Sequence, residues 1–363
     1  MNSNLRILIA GGGTGGHIIP ALAVARELAG RHAAEVLFVG TARGLESRLV
    51  PEAGFPLRLI DAGPLNNVSI ATRLRSLAQL PRSIFDCKQL IREYRPDAVF
   101  GIGGYAAGPG TAAALWLHVP VLLFEPNAMP GLANRLVGRR VQGAAINFAA
   151  AARWFRNAQV TGVPVRSEFF TLEPPAAAEP HLLVFGGSQG ARLFNTHMPQ
   201  IARPLLEAVP GLTILHQSGL HNYESTLAAY RASGADASRW QVEAFLSDMP
   251  ARFARAHLVL SRSGASTVGE EAAAGKPALL VPFAAAADNH QRRNAEAMAA
   301  AGAAVMLDEA DLQIPGRLLE TLAALLGDPA RLAAMSAAAR RQAHPEAARR
   351  IADWLAAIAA EGL

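Results

Sequence analysis

Gly11-Gly12-Gly13-Thr14-Gly15-Gly16-His17 follows the apolar run Leu5-Arg6-Ile7-Leu8-Ile9-Ala10 and leads into a helical pattern carried by Ile18, Leu22, Val24, Ala25 and Leu28. A strand that turns through glycines into a helix is the opening unit of a parallel α/β sheet. With almost no side chains in the turn, backbone N–H groups can approach a ligand at a helix N-terminus, which suits an anion such as a diphosphate. Gly11-x-Gly13-x-x-Gly16 also reads as a dinucleotide fingerprint, which needs an acid at the end of the second strand to hold a ribose. The second strand, Glu35-Val36-Leu37-Phe38-Val39-Gly40, has its acid at the start and runs out into Thr41. A nicotinamide dehydrogenase is disfavoured on that ground, and it leaves His17 unexplained. At the positive end of a helix dipole an imidazole tends to stay neutral and available as a base. The plainer reading is a histidine that packs or caps; an anion-binding loop beside it favours function.

Working outward, strand-like runs at 5–10, 35–40, 57–60, 97–101, 119–124 and 144–148 alternate with helical patterns, which argues for a parallel, doubly wound sheet. Glu173-Pro174-Pro175-Ala176-Ala177-Ala178-Glu179-Pro180 reads as a linker. The pattern then restarts: His181-Leu182-Leu183-Val184-Phe185 enters a second glycine turn, Gly186-Gly187-Ser188-Gln189-Gly190, and strands follow at 212–216, 240–243, 257–261, 278–281 and 303–307. The expectation is two Rossmann-like halves facing a cleft, residues 1–163 and 164–340. The alanine-rich helical region from Pro329 leaves open whether its last helix, about 341–363, packs back on the first half through Trp354 and Leu355.

Composition narrows the class. The 363 residues suffice for about two domains, and with 51% hydrophobic and 17% charged residues a large core is expected. Cys87 is the single cysteine, which excludes an intrachain disulfide and fits a reducing compartment. No signal peptide is apparent, and the longest apolar run, Thr111 to Phe124, is interrupted by His118 and Pro120. A cytoplasmic-type soluble protein is expected. Residues 1–165 carry a net charge of +8 and residues 166–363 carry −3. The basic half suits an anionic partner. Nucleic acid is disfavoured because the cations are dispersed and no binding motif is visible, leaving an anionic membrane surface or a phosphorylated ligand. In residues 70–94, Leu74, Leu77, Leu80, Ile84, Phe85, Ile91 and Tyr94 recur among Arg73, Arg75, Arg82, Lys88 and Arg92, with Pro81 interrupting. Such a stretch suits an anionic membrane interface; pattern alone favours an ordinary helix pair covering the sheet.

Further polar clusters lie where strands end. Gly101-Ile102-Gly103-Gly104 forms a third glycine loop, and Phe124-Glu125-Pro126-Asn127 offers a carboxylate and an amide to sugar hydroxyls or simply turns the chain. Arg262-Ser263-Gly264-Ala265-Ser266-Thr267-Val268-Gly269-Glu270 makes a second anion site at a helix start, with Glu270 able to accept from two ribose hydroxyls or merely to favour a helix's first turns. Ser188 can add a hydroxyl to the same phosphates or cap its helix. Asp288-Asn289-His290-Gln291 is a compact polar cluster. No histidine or cysteine set has metal-ligand spacing, and no Walker loop, GxSxG elbow or Ser/His/Asp set is present, so metal-independent transfer chemistry fits best.

The ordered set GGGTGGHIIPALAVA, GIGGYAAGP, FEPNAMPGLANR, GVPVR, FGGSQGAR, HQSG, FLSDM, SRSGASTVGEEAAAGKPALLVPF and DNHQ resembles the MurG family of glycosyltransferases over nearly the whole chain. The resemblance implies a GT-B fold and inverting transfer of N-acetylglucosamine from UDP-N-acetylglucosamine to the muramyl 4-hydroxyl of lipid I, giving lipid II and UDP, with no metal or cofactor required. It implies a peripheral protein on the cytoplasmic face of the bacterial inner membrane, with 70–94 in the membrane face and cell-wall synthesis proteins as possible partners. On matching positions, Thr14, Gly15 and Gly16 lie in the first loop and His17 is the expected base, with Glu125 the alternative. Asn127 would touch the donor sugar or the acceptor, Arg166 and Ser188 the diphosphate side, and backbone groups at Leu246 the uracil. Gly264, Ala265, Ser266, Thr267, Val268 and Gly269 would wrap the diphosphate, Glu270 would hold the ribose, and His290 or Gln291 the sugar hydroxyls. Val163 and Pro126 stand where the family often has Asn and Gln. A UDP-N-acetylglucosamine epimerase and a non-catalytic sugar-nucleotide-binding scaffold are the rival readings.

Overall fold

The computed structural model describes residues 5–63, 69–173, 175 and 179–361. Residues 174 and 176–178 of the expected linker lie outside these. The chain divides into unit 1, Met1–Val165 with His344–Leu363, and unit 2, Arg166–Ala343.

Unit 1 runs β1 (Arg6–Gly11), α1 (Gly15–His32), β2 (Glu35–Gly40), α2 (Glu46–Glu52), β3 (Leu57–Leu59), α3 (Ile70–Tyr94), β4 (Ala98–Gly103), α4 (Ala107–Trp116), β5 (Val121–Glu125), α5 (Leu132–Val137), β6 (Gly143–Ile146) and β7 (Ala158–Val160). All pairings are parallel, in the order β3-β2-β1-β4-β5-β6-β7. The two-residue period of β1 explains why its run is apolar throughout. Ile7 and Ile9 face the core that contains Ile18, Leu22 and Leu28 of α1, whereas Leu8 and Ala10 face the opposite core with Cys87, Ile91 and Ala113. β7, absent from the expected strands, is a three-residue edge strand with two exposed residues, too short to register as a pattern.

Unit 2 runs β8 (His181–Phe185), α6 (Arg192–Ala208), β9 (Thr213–Gln217), α7 (Tyr223–Ala232), β10 (Trp240–Glu243), α8 (Met249–Arg255), β11 (Leu258–Ser261), α9 (Ala265–Ala274), β12 (Ala278–Leu280), α10 (His290–Ala300), β13 (Ala304–Met306), α11 (Arg317–Leu326) and α12 (Pro329–Arg341). Its sheet is again parallel, ordered β10-β9-β8-β11-β12-β13. In each sheet the order reverses beside the first strand, between β1 and β4 and between β8 and β11. Such switch points are where open α/β sheets bind ligands.

After unit 2 the chain returns to unit 1 as α13 (Ala347–Glu361), which lies against α1 and buries Ile351, Leu355 and Ile358 in the same core as Ile7 and Ile9. His32 Nε2 and Asp353 Oδ1, 2.9 Å apart, tie the two helices at their rim.

The pattern at 70–94 gives a different result from the helix pair expected. α3 is one continuous helix through Pro81, with the Ser69 hydroxyl accepting from Thr72 N at 3.2 Å as its cap. Its buried residues are Ser76, Ser83, Cys87 and Ile91, while Ile70, Leu74, Leu77 and Phe85 are 78%, 62%, 46% and 54% exposed. The helix therefore packs by Ser76, Ser83, Cys87 and Ile91, with Ile84, Leu90 and Tyr94 partly buried against the same core, and turns Ile70, Leu74, Leu77 and Phe85 outward. On the neighbouring α4, Trp116 is exposed with Lys88 Nζ 4.0 Å over its ring. Among the described residues no helix is long and apolar enough to cross a membrane.

Candidate functional site

In unit 1 the loops after β1 and β4 meet backbone to backbone at the switch point. Gly12 N donates to Gly103 O at 3.0 Å, Thr14 is the N-cap of α1, and Gly15 and Gly16 are its first two residues. His17 follows, half-buried, with its ring laid against Gly103. A Cβ on Gly103 would stand 2.7 Å from His17 Cε1, and the residue has φ +88°, so glycine is required here twice over. The histidine is thus held by the third glycine loop, a relation invisible along the chain.

Glu125 at the end of β5 is 2% exposed. Its Oε1 accepts from Asn127 N at 3.0 Å and Asn127 Nδ2 at 3.1 Å; its Oε2 accepts from Gly131 N and Asn134 Nδ2, both at 3.0 Å. Burial pushes its pKa up and these four bonds pull it down. The geometry makes Glu125 the pin of the 125–131 loop, with no oxygen turned to a substrate hydroxyl. Asn127 is half-buried on that loop. Asn134, which also donates to Phe124 O at 3.1 Å, gave no sign of this function in the sequence.

In unit 2 the switch point brings the turn after β8 beside the start of α9. Ser188 is exposed in that turn, and the N-cap of α6 is Ala191, so Ser188 does not cap the helix. Gly264 caps α9, and Ala265, Ser266 and Thr267 open its first turn; the buried Ser266 Oγ has no partner among the described residues. Val268 N closes onto Gly264 O at 3.0 Å, and Gly269 and Glu270 follow one turn in. The Glu270 pKa is pushed up to about 7 by burial, with Arg166 pulling it down. The structure thus brings Arg166, from the first residue of unit 2, into the field of Glu270. Glu271 behind it is fully buried, accepts from Ser261 Oγ at 2.6 Å and is pushed up to about 8 by burial.

Gln217 has a role that its sequence context does not announce. Its Nε2 donates to Gly187 O at 2.8 Å and its Oε1 accepts from Leu246 N at 2.9 Å, joining the β8 turn to the 246 loop. Of the Leu246 backbone groups expected to read the uracil, the N–H is engaged by Gln217, and the side chain is buried, while Phe245 beside it is 53% exposed. Asp288 and Asn289 are consecutive non-glycine residues in the left-handed region (φ 51° and 52°), a strain typical of functional loops. His290 Nδ1 lies 2.7 Å from Ala287 O. A carbonyl only accepts, so Nδ1 carries the proton and Nε2 is left to face outward from this bond. Gln291 Oε1 accepts from Phe283 N at 2.9 Å, and Ser263 Oγ donates to Gln291 O at 2.8 Å, which fixes this loop to the start of α9. Cavities of about 550 and 720 Å³ in unit 2 are lined by none of Arg166, Ser188, Leu246, Glu270, His290 and Gln291, although Phe283 borders the larger.

Comparison with known proteins identifies the family and the fold. Residues 7–146 match the glycosyltransferase family 28 N-terminal domain and residues 181–351 the family 28 C-terminal domain. The UDP-N-acetylglucosamine–N-acetylmuramyl-(pentapeptide) pyrophosphoryl-undecaprenol N-acetylglucosamine transferase of Solibacter usitatus (strain Ellin6076) is 44% identical, covering 97% of this chain and 96% of its own. The crystal structure of Acinetobacter baumannii MurG superposes with a TM-score of 0.80 at 30% identity, covering 97% and 99% of the two chains. The chain belongs to the MurG family. It has the GT-B fold, with the two Rossmann-like units that MurG-family glycosyltransferases share. A UDP-N-acetylglucosamine 2-epimerase structure also superposes, with a TM-score of 0.66 at 15% identity over 96% of this chain and 95% of its own. At that identity the likeness extends to the fold alone.

Proposed function

We propose that this MurG-family enzyme transfers N-acetylglucosamine from UDP-N-acetylglucosamine to the muramyl 4-hydroxyl of lipid I, giving lipid II and UDP. The observation that carries this is the 44% identity across 97% of the chain to a protein named for that transfer. The donor belongs to unit 2. The N–H groups that open α9, with Ser266 and Thr267, take the diphosphate; Ser188 and Arg166 add a hydroxyl and a cation. Glu270 accepts from the ribose hydroxyls, Phe245 offers a face to the base, and His290 Nε2 and the Gln291 amide face the sugar. Donors aimed at the diphosphate stabilise the negative charge that grows on UDP as it leaves.

The acceptor belongs to unit 1, with its phosphate on the amides of Thr14, Gly15 and Gly16. His17 takes the proton from the 4-hydroxyl as that oxygen bonds to the anomeric carbon. The carbon–oxygen bond to UDP breaks in the same displacement, and its electrons leave with UDP, so the configuration inverts. The role of base goes to His17 over Glu125, because both oxygens of Glu125 are engaged in holding their own loop. Outward-facing Ile70, Leu74, Leu77 and Phe85 among Arg73, Arg75 and Arg82 support attachment to an anionic membrane, where a lipid-linked acceptor resides. A peripheral site on the cytoplasmic face of the bacterial inner membrane follows from that acceptor. Transfer of labelled N-acetylglucosamine to a short-chain lipid I analogue is the test. Absence of transfer to both natural and shortened acceptors would overturn the reading, and acceptor-independent epimerisation of the donor would replace it.

A further inference from the structure

Glu46, the first residue of α2, is 1% exposed although no feature of the sequence marks it. Its Oε2 accepts from Gly13 N at 2.6 Å, and its Oε1 accepts from Thr41 N at 2.9 Å and Thr41 Oγ1 at 3.0 Å. The carboxyl lies so close to Gly12, Gly40 and Gly44 that a Cβ on any of them would collide with this one side chain. Three glycines are therefore spaces cleared for Glu46, and the acid sought at the end of β2 exists six residues later, turned inward.

This decides which amides of the first loop can meet an anion. Gly12 N is spent on Gly103 O and Gly13 N on Glu46. The next N–H groups, those of Thr14, Gly15 and Gly16, sit at the start of α1, immediately before His17. An anion sliding back toward Gly12 and Gly13 would meet a buried carboxylate. We infer that Glu46 is a positioning residue: by occupying the Gly13 amide and pinning the loop to the end of β2, it restricts the acceptor's phosphate to the amides next to His17 and so sets the reach of the base. The inference rests on reading this loop as the acceptor site.

The chemistry requires a carboxylate, since donors converge on both oxygens. In Glu46→Gln the side-chain NH₂ must face either Gly13 N–H or the Thr41 donors, whichever way the amide is turned. We expect E46Q to lower kcat/KM for the acceptor about a hundredfold, as a displacement near 1 Å at a reacting group does, with the donor KM unchanged. Glu46→Asp, which restores two accepting oxygens on a shorter arm, should recover part of the loss. Calorimetric binding of UDP to each variant checks that unit 2 is intact. Should E46Q fail to fold, Thr41→Val carries the test, removing one donor to Oε1 and lowering acceptor kcat/KM severalfold with donor KM unchanged. Wild-type acceptor kinetics in whichever of these variants folds, or a parallel loss of donor and acceptor affinity, would overturn the inference. An active wild type with indifferent variants sinks this inference alone, whereas a wild type that transfers nothing sinks the functional reading as well.

Discussion

A histidine base works only where its ring is held at a fixed angle to the hydroxyl it serves, and the proposed base rests against a glycine. His17 lies on Gly103, so ring orientation is set by a loop 86 positions along the chain. His17→Ala should cut kcat by about 10²–10⁴-fold, the usual share of general-base assistance, with UDP binding retained; near-normal turnover in that variant would remove His17 from the role. Glu270 gives a pH prediction. Burial pushes its pKa up to about 7, so the ionised form, proposed to accept from ribose, gives way to the protonated form as pH falls through that value. Affinity for UDP-N-acetylglucosamine should therefore drop below about pH 7, while Glu270→Gln should bind weakly with a flat profile over that range. Titration calorimetry across pH 6–8 (roughly one unit each side of that value) distinguishes the two. The residues proposed to face ligands are the ones a sequence displays, because loops after strands expose polar side chains in short motifs. Those that hold them, Glu46, Gln217 and Asn134, are not, because their partners are backbone groups distant in sequence.

At the level of elements, strands and glycine turns were readable from apolar runs and punctuation, since two-sided burial makes each strand continuous in hydrophobicity. α3 was not. Its leucines recur at helical spacing, and the usual inference puts such a stripe against the sheet; Ser76, Ser83, Cys87 and Ile91 are buried there instead, while Leu74 and Leu77 face outward. Helical periodicity locates an apolar face without saying what covers it. If that face meets lipid, Leu74→Glu with Leu77→Glu should abolish binding to phosphatidylglycerol vesicles while transfer to a soluble short-chain acceptor persists. Unchanged co-sedimentation with vesicles would assign the face to something other than a membrane.

At the level of the whole molecule, two similar sheets were legible from the restart at His181, whereas the sharing of the chain between them was not. Unit 2 is one continuous segment, while unit 1 is built from two segments separated by it, the second supplying Ile351, Leu355 and Ile358 to a core begun by Ile7 and Ile9. On the ribosome this imposes an order. Chains emerge at about 5–20 residues per second, so the first 165 residues wait on the order of ten seconds or more for their closing helix while the middle of the chain already has all it needs. Translation arrested before His344 should leave nascent chains in which the first segment is cut by protease and the 166–343 segment resists; equal resistance of both would show that unit 1 completes itself without α13. The part of the protein read first is thus the part finished last, and its half-built core is the interval in which a chaperone has something to hold.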